Sequence, residues 1–403
     1  MRSNFFWTLA SYVVYAACQW GMLVTLAKLG TAEMVGQFAL GLAITAPVLM
    51  FTNLQLRSVL ATDTRREYSF PEYLGLRLLA SLLALTVVFG LSQSPAVLLV
   101  GVSKVIESIS DVHYGRLQQH ERMQPIARSL IGKGVLSLAA FWLAVYMTRN
   151  LLWALTGLIA AWTLVLVFYD IPRSTHGPLR PCFHRGTLTA LAWRSLPLGV
   201  MSMLVSLNAN IPRYFVEAQL GAAALGIFAA LTYPMMAGTF VATALGQAAL
   251  PVLARHFAAG QAVAGEFQAL LLKVTAAGLL LGGTGVLISV LFGRQLLTLF
   301  YRPEYARHAA ELSWLAVAAG MNYIATFLNA GVTATRNFRV LIVPYILHAL
   351  LAAALSAVLI PVAGLIGAAW ACCGIGAAGC VIPLLILARM RMAAPLLVLD
   401  NAA

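Results

Sequence analysis

The sequence predicts an all-α polytopic membrane protein with about 12 transmembrane helices. Three observations predict this class. The 403 residues are 61% hydrophobic and only 10% charged, their mean hydropathy is +0.87, and apolar stretches of about 20 residues, enough to cross a ~30 Å hydrocarbon core as a helix, recur along the chain. These stretches are continuously apolar instead of alternating, which disfavours transmembrane strands.

The apolar stretches define the predicted spans in order. They lie at 6–27, 35–57, 74–92, 95–117, 125–147, 150–169, 196–217, 224–250, 268–292, 309–333, 340–360 and 364–388. The first stretch follows a single Arg2 and is not followed by a small-residue cleavage site. We therefore expect it to remain as a helix and not to be removed as a signal peptide.

The basic residues predict the orientation of the spans. Most of the 26 lysines and arginines fall on one predicted side, namely Arg2, Arg57, Arg65, Arg66, Arg77, Arg116, Arg122, Arg128, Lys133, Arg173, Arg180, Arg185, Arg194, Arg255, Lys273, Arg336, Arg339, Arg389 and Arg391. Basic residues concentrate on the cytoplasmic side of membrane proteins, so we expect both termini in the cytoplasm. The same rule accounts for much of the net charge of +13, and the charge gives no reason to expect nucleic-acid binding.

Two pairs of similar stretches indicate that the chain consists of related halves. "LGTAEMVGQFAL" at 29–40 is similar to "LGAAALGIFAAL" at 220–231, and "GLIAAW" at 157–162 is similar to "GLIGAAW" at 364–370. A long polar link separates the halves. We predict an N-terminal six-helix lobe at 1–170, a cytoplasmic linker at 171–193 and a C-terminal six-helix lobe at 194–403. Because six is even, the lobes would be parallel repeats related by an axis along the membrane normal.

The fourth span carries the most prominent polar cluster, in "VGVSKVIESISDVHYGRLQQHERM". At about 100° per residue, one face of this helix collects Lys104, Glu107, Ser108, Asp111 and Gly115. Ionisable groups at this depth are costly unless they are paired or hydrated, so they should face the interior of the bundle or a watery cavity. In that position Lys104 could bind an anionic ligand.

A buried ladder of ion pairs is the alternative reading of the same face. In that case Lys104 pairs with Glu107 inside the helix. Glu107 or Asp111 then pairs with Lys133 or Arg128 on the adjoining fifth span.

The seventh span ends in "SLNANIPRYFVEAQLG", where Pro212 interrupts the helical hydrogen bonds. Asn208, Asn210 and Arg213 lie around this interruption and could line the outer half of a polar pathway. Alternatively, Arg213 pairs with Glu217, four residues later, at the outer surface.

The second span ends in "FTNLQLR". Its Arg57 is either a further contact for an anion or an anchor at the cytoplasmic interface.

The sequence offers no metal, cofactor or catalytic pattern. Its seven histidines are scattered, and its five cysteines have no metal-binding spacing. We expect no disulfides. No G-x-S-x-G, no phosphate-binding loop and no acidic pair on a sizeable extramembrane loop is present. We therefore predict a protein that is not an enzyme and that uses neither a cofactor nor a metal.

Five stretches, taken together, resemble a known family. They are "LGTAEMVGQFALGLAITAPVLMFTNLQLRSVLATD", "KVIESISDVHYGRLQQHERM", "NIPRYFVEAQLGAAALGIFAALTY", "FGRQLLTLFYRPEY" and "GLIGAAWA". In their order and spacing they are similar to the bacterial polysaccharide transporter family. These proteins are the O-antigen or exopolysaccharide flippases of the multidrug/oligosaccharidyl-lipid/polysaccharide exporter superfamily. The likeness spans nearly the whole chain and rests on order, not on one strict signature.

The resemblance implies a V-shaped pair of six-helix lobes around a central cationic cavity that opens to each side in turn. It places the protein in the bacterial inner membrane. The implied substrate is an oligosaccharide repeat unit on an undecaprenyl diphosphate carrier, for O-antigen, capsule or exopolysaccharide synthesis. The expected partners are this lipid-linked oligosaccharide, membrane lipid and a glycan polymerase of the same pathway. The predicted spans are fewer than those typical of lipid II flippases, which disfavours a peptidoglycan precursor as substrate.

A diphosphate needs cations in a low-dielectric setting. The expected substrate-binding residues are Lys104, Arg213, Lys133, Arg57, Asn208 and Asn210. Glu107 and Asp111 lie four residues apart, and we expect this pair to carry a proton that is exchanged against the substrate. The alternative is that the two acids only neutralise nearby cations. Two other functions stay open: a drug or metabolite antiporter of the same fold, and a membrane-embedded glycan polymerase or acyltransferase.

Overall fold

The computed structural model describes residues 2–63, 65, 67–174, 180–259, 264–335 and 339–400. These residues contain no strand, which confirms the all-α class. The helices are α1 (Arg2–Leu29), α2 (Ala32–Thr52), α3 (Leu56–Thr62), α4 (Phe70–Leu91), α5 (Pro95–Gln119), α6 (Met123–Thr148), α7 (Leu151–Val165), α8 (Ile171–Ser174), α9 (Arg185–Thr232), α10 (Met235–Ala258), α11 (Ala264–Phe300), α12 (Ala309–Ala334) and α13 (Arg339–Asp400). A π-helix (Leu166–Asp170) joins α7 to α8, and a 3₁₀ turn (Pro303–His308) precedes α12.

Ten stretches of the described chain are long and apolar enough to cross a membrane, and the count of twelve spans stays a prediction. Two of the longest helices, α9 and α13, are interrupted from within by Gly221 (φ +83°) and Gly364 (φ +62°). Glycine adopts positive φ without steric cost, so these two residues end one helix and begin the next. The polar helix α5 is not among the ten stretches, in keeping with its charged face.

The chain divides into two compact units, Met1–Ala230 and Leu231–Ala403. The division into six-helix lobes around a linker at 171–193 stays a prediction. Within that linker, helix α9 already begins at Arg185, earlier than expected for span 7. Residues 175–179 of the linker, and the basic residues Arg66 and Arg336, lie outside the described residues.

The first unit is built around α5, which packs against α2, α3, α4 and α7. The surrounding helices begin at residues with clear capping chemistry. The Thr31 hydroxyl accepts from the amide of Met34 at the start of α2, and the Asn150 side chain accepts from Leu152 at the start of α7. At the start of α4, Ser69 and Glu72 form a reciprocal capping box. Such caps satisfy amides that have no partner inside the helix, and they fix where each helix meets α5.

The chain between α2 and α3 has an unusual backbone. Leu54 and Gln55 adopt φ values of +50° and +51°, a left-handed conformation that costs a non-glycine residue about 1–3 kcal/mol. Surrounding contacts hold this conformation in place. Leu54 is buried in an apolar cluster with Leu188, and Gln55 Nε2 donates to Ser202 Oγ at 2.9 Å. We call this segment, Asn53–Gln55, the α2–α3 break.

A close crossing joins α2 to the part of α9 that follows Gly221. A Cβ atom at Gly36 would lie 1.7 Å from the carbonyl oxygen of Ala222, and one at Gly226 would lie 1.9 Å from that of Ala32. Only glycine permits this approach of two backbones. The contact is reciprocal, because each helix contributes an alanine and, four residues later, a glycine. We call this contact the reciprocal crossing.

The reciprocal crossing joins the two similar stretches at 29–40 and 220–231. A two-fold axis between equivalent helices produces contacts of this kind, in which residue i meets j and j meets i. The crossing lies within the first unit, and the relation between the halves stays a prediction. The other pair of stretches differs in local structure. Gly157 lies inside α7, whereas Gly364 interrupts α13, so the two occupy different structural positions.

The second unit consists of α10–α13 packed through small residues. Gly282 of α11 lies against Gly320 of α12, where an added Cβ would be 2.5 Å from the opposite Cα. The Tyr323 hydroxyl donates to the carbonyl oxygen of Met235 at 2.6 Å and ties α12 to α10. Among the described residues of this unit, the buried polar ones are Ser289 and Ser356. The second unit thus has an almost wholly apolar interior.

Candidate functional site

The buried charges of the described chain lie in the first unit, around α5. Arg77, Lys133 and Asp170 are fully or almost fully buried there. With the partly exposed residues beside them they form a set that we call the α5 cluster: Arg57, Arg77, Lys104, Glu107, Asp111, Lys133 and Asp170. The cluster holds four basic and three acidic side chains, so its formal charge is positive. Charges at this depth require partners, and the structure provides them in three groups.

The first group places one carboxylate between two guanidinium groups. Asp111 Oδ1 lies 3.1 Å from Arg57 Nη1, and its Oδ2 lies 3.9 Å from Arg77 Nη2. The Asp111 and Arg57 side chains are 31% and 21% exposed, whereas Arg77 is 0% exposed. The α2–α3 break makes this arrangement possible, because α3 starts directly after it and carries Arg57 to α5. Arg57 Nε also donates to Gln118 of α5 at 3.2 Å.

Arg77 is not among the site residues predicted from the sequence, which counts it only among the basic residues of the cytoplasmic side. The structure places it inside α4, where Nη1 donates to Asn53 Oδ1 and, at 2.9 Å, to Ser108 Oγ. The signal that could have found it is helical periodicity. Arg77 shares one face of α4 with Tyr73, Ala80 and Ala84, all of them buried, and an arginine on such a face has to bind a polar partner.

The second group contains Lys104, the strongest sequence candidate. Its Nζ lies 2.8 Å from Glu107 Oε2, which is the pair that the alternative reading, a ladder of ion pairs, predicts within α5. The Tyr15 hydroxyl donates to Glu107 Oε1 at 2.6 Å, and the Lys104 ammonium lies 5.4 Å from the ring centroid of Trp162. Lys104 and Glu107 are 28% and 32% exposed. Lys104 therefore remains accessible to a ligand even though it has partners.

The third group corrects the expected partner of Lys133. The sequence predicted pairing with Glu107 or Asp111, but Lys133 Nζ lies 2.8 Å from Asp170 Oδ2, and both side chains are only 1% exposed. Asp170 is the last residue of the π-helix, whose wider turn changes the face on which the following residues lie. The sequence does not predict this π-helix, so it ends the sixth span at 169 and leaves Asp170 at the start of the polar link. Ser129 Oγ donates to Asp170 Oδ1 at 2.5 Å, so each carboxylate oxygen of Asp170 has a polar neighbour.

The remaining candidates lie on α9. Arg213 Nη1 donates to Asn210 Oδ1 at 3.1 Å, so it has a partner one turn earlier in the helix. Asn210 is buried and donates to the carbonyl oxygen of Ser206 at 2.8 Å. Pro212 lies inside α9, and the helix continues past it. The role of Arg213, Asn208 and Asn210 in substrate binding stays a prediction.

The α5 cluster carries one more basic than acidic side chain. Two cations, Arg57 and Lys104, are partly exposed, and two more, Arg77 and Lys133, are buried behind them. No group of three metal-ligating side chains occurs among the residues that the structure describes. Guanidinium and ammonium groups in a low-dielectric setting bind phosphate and carboxylate oxygens strongly.

Comparison with known proteins identifies the family. The family model described as "Polysaccharide biosynthesis protein" matches residues 1–257. The chain belongs to this family. It is also 28% identical over 351 residues to the capsular polysaccharide biosynthesis protein CapF of Staphylococcus aureus, with 84% of this chain and 87% of that protein covered.

Solved structures show the fold of this polysaccharide biosynthesis protein. The chain superposes on the inward-facing conformation of a multidrug resistance MATE family transporter of the MOP superfamily with a TM-score of 0.73, at 14% identity, covering 94% of this chain and 95% of that chain. On the lipid II flippase MurJ, in its inward closed conformation, the TM-score is 0.71 at 12% identity, covering 96% and 87%. The fold is that of a multi-pass helical transporter. The predicted family and fold class are confirmed.

Proposed function

We propose that this protein is a flippase that moves undecaprenyl diphosphate-linked oligosaccharide repeat units across the bacterial inner membrane. The observation that carries the proposal is the α5 cluster, a positively charged site with buried guanidinium and ammonium groups inside an apolar helical unit. A diphosphate is the part of this substrate that is hardest to bring into the membrane, and cations there offset its loss of hydration. The capsular relative supports a role in surface polysaccharide synthesis.

The proposed roles follow from exposure. Arg57 and Lys104 are partly exposed and contact the diphosphate first, while buried Lys133 adds positive potential behind them. Arg213, Asn208 and Asn210 line the outer part of the sugar pathway. The polyprenyl tail stays in lipid, both termini lie in the cytoplasm, and a glycan polymerase receives the product.

Energy for directional transport comes from an ion gradient or from removal of product, because the sequence has no nucleotide-binding motif. We keep Glu107 and Asp111 as the proposed proton carriers. Each of them already faces cations, so a proton would bind only when an incoming diphosphate competes for those cations.

A drug or metabolite antiporter is the second candidate, because the fold is shared with a multidrug resistance transporter. The α5 cluster argues against cationic drugs, since its net charge would repel them. A glycan polymerase or acyltransferase would need catalytic groups on an outer loop, and the sequence predicts no sizeable outer loop.

Reconstitution in liposomes tests the proposal. An undecaprenyl diphosphate-linked oligosaccharide with a fluorescent sugar is placed in both leaflets, and a membrane-impermeant quencher is added outside. The native protein should let the quencher destroy nearly all fluorescence, whereas empty liposomes should keep the inner-leaflet half. Lys104→Ala should slow the loss and Lys104→Arg should not.

Two results would contradict the flippase. One is that the fluorescence of the labelled lipid in the inner leaflet stays protected from the quencher although the liposomes contain correctly folded protein. The other is counter-transport of a cationic dye without movement of the labelled lipid, which would favour the antiporter.

A further inference from the structure

The buried arginine of the α5 cluster has an unused binding edge. Arg77 is 0% exposed, and only its Nη1 is hydrogen-bonded, to Asn53 and Ser108. Its Nε and Nη2 have no hydrogen-bond partner in the described part of the chain. Buried donors are almost always paired. These two nitrogens form the edge of a guanidinium that binds two oxygens of one carboxylate or phosphate.

Asp111 is the acidic neighbour of this edge on its Nη2 side, but it does not complete the contact. Its Oδ2 is 3.9 Å from Arg77 Nη2, which is beyond hydrogen-bond distance. Its Oδ1 is 3.1 Å from Arg57 Nη1. The carboxylate is thus bound firmly to the exposed arginine and only electrostatically to the buried one. At 31% exposure, it is also the most exposed member of the three.

We propose that Asp111 is an internal counter-ion that occupies a two-arginine diphosphate site, and that the substrate displaces it to bind Arg57 and Arg77 together. The proposal rests on the proposed function and assigns Arg77 as a substrate contact. Displacement turns the Asp111 side chain toward the solvated face of α5 and lets phosphate oxygens reach Nε and Nη2 of Arg77. When the substrate leaves, the Asp111 carboxylate returns to the two arginines. Its negative charge replaces that of the diphosphate, which makes dissociation of the substrate easier.

The detergent-solubilised full-length protein and inorganic pyrophosphate provide the test, with calorimetry as the readout. Asp111→Asn removes the competing charge and keeps the side-chain shape. We expect it to bind pyrophosphate about tenfold more tightly than the native protein, the gain that one freed charge-assisted hydrogen bond provides. Arg77→Lys in the Asp111→Asn background should abolish most of that gain, because an ammonium cannot offer a bidentate edge. In liposomes, Asp111→Asn should also slow repeated turnover.

Glu67→Gln is the matched control. Glu67 pairs with Arg194 and both side chains are exposed, so this variant also leaves an arginine without its carboxylate, but at residues that are not part of the α5 cluster. It should leave pyrophosphate affinity close to that of the native protein. Undecaprenyl diphosphate and undecaprenyl monophosphate are then compared as competitors of pyrophosphate. Stronger competition by the diphosphate would identify the lipid carrier, and not free phosphate, as the ligand.

The outcomes separate this inference from the proposed function. If the native protein binds pyrophosphate and Arg57→Ala weakens binding, but Asp111→Asn binds no more tightly than Glu67→Gln, the counter-ion is refuted and the flippase stands. If no variant binds pyrophosphate or the lipid-linked diphosphate, both proposals are refuted. Tighter binding by Asp111→Asn that survives Arg77→Lys would refute the role of Arg77.

Discussion

Tyr114 lies between two cations of the α5 cluster. Its ring centroid is 5.5 Å from the Arg57 guanidinium carbon, a contact that contributes about 0.5–2 kcal/mol. Its hydroxyl is 3.0 Å from Lys133 Nζ and 2.6 Å from Ser129 Oγ. One side chain therefore connects the partly exposed Arg57 with the buried Lys133–Asp170 pair, and a movement of Arg57 on binding substrate would change the contacts of that pair.

The Lys133–Asp170 pair gives the first prediction. Asp170→Asn leaves a buried ammonium without its counter-charge, so we expect a loss of about 3–5 kcal/mol in the free energy of unfolding. The double change Lys133→Met and Asp170→Leu removes both charges and should recover most of that loss. Thermal unfolding in detergent measures both effects. A double variant as unstable as Asp170→Asn would contradict this account. The transport activity of the double variant would show how much Lys133 adds to substrate binding.

Only some contacts of the α5 cluster could be predicted from the sequence. The Lys104–Glu107 pair could be predicted, because residues three apart on a helix are neighbours whatever else packs there. The burial of Arg77 could also be predicted, from helical periodicity, but the partner of Arg77 and the position of Asp170 could not. The first depends on Asn53, which reaches α4 through the α2–α3 break, and the second depends on a π-helix, which has no local sequence signature.

At the scale of elements, the α2–α3 break determines where the first pair of charges lies. Neither Leu54 nor Gln55 is a residue that favours a left-handed backbone, so the sequence suggested one continuous span through 57. Tertiary contacts hold the break instead: the buried Leu54 and the bond from Gln55 to Ser202. By contrast, the polar face of α5 could be read from the sequence, since it needs only helical periodicity.

Gln55→Val tests the break. A β-branched residue cannot adopt φ near +51°, so we expect the break to rearrange, with a loss of about 1–3 kcal/mol in stability. Arg57 should then move away from Asp111 and pyrophosphate binding should weaken. Ser202→Ala is the matched control, because it removes the same hydrogen bond without changing the backbone. Equal effects of the two substitutions on stability and binding would show that backbone conformation is unimportant here.

At the scale of the whole molecule, the buried charges are distributed unevenly. Among the described residues they lie in the first unit, while the interior of the second unit is almost wholly apolar. The two units therefore differ in the chemistry of their interiors. The sequence does not predict this division of charge, because the positive-inside rule accounts for most of its basic residues whether or not they are buried.

The reciprocal crossing leads to a prediction at this scale. Gly36→Ala places a methyl group against the Ala222 carbonyl, so the two helices have to separate. We expect a loss of about 1–3 kcal/mol, the usual range for overpacking, together with slower transport. At Gly132 of α6 an added Cβ meets nothing within 4 Å. Gly132→Ala should therefore be neutral or slightly stabilising. Similar unfolding midpoints for the two variants would contradict the close approach.

The predicted orientation can be tested by labelling single cysteines in a variant that lacks the native ones. Arg149→Cys should react with an impermeant maleimide from outside the cell. His184→Cys, on the exposed segment before α9, should react only after the membrane is opened. Reaction of both positions from the same side would refute the arrangement of spans between them.

The reciprocal crossing also bears on the ancestry of the chain. An ancestor half as long, with one alanine and one glycine at this spacing, would have met a second copy of itself through the same contact, as two-fold homodimers do. Gene duplication and fusion would then have joined the two subunits. After fusion the copies could diverge wherever they did not face each other, so one could acquire charges and the other could remain apolar. At Gly36 and Gly226 such divergence would have been restrained, because a Cβ atom at either position would meet the backbone of the opposite helix.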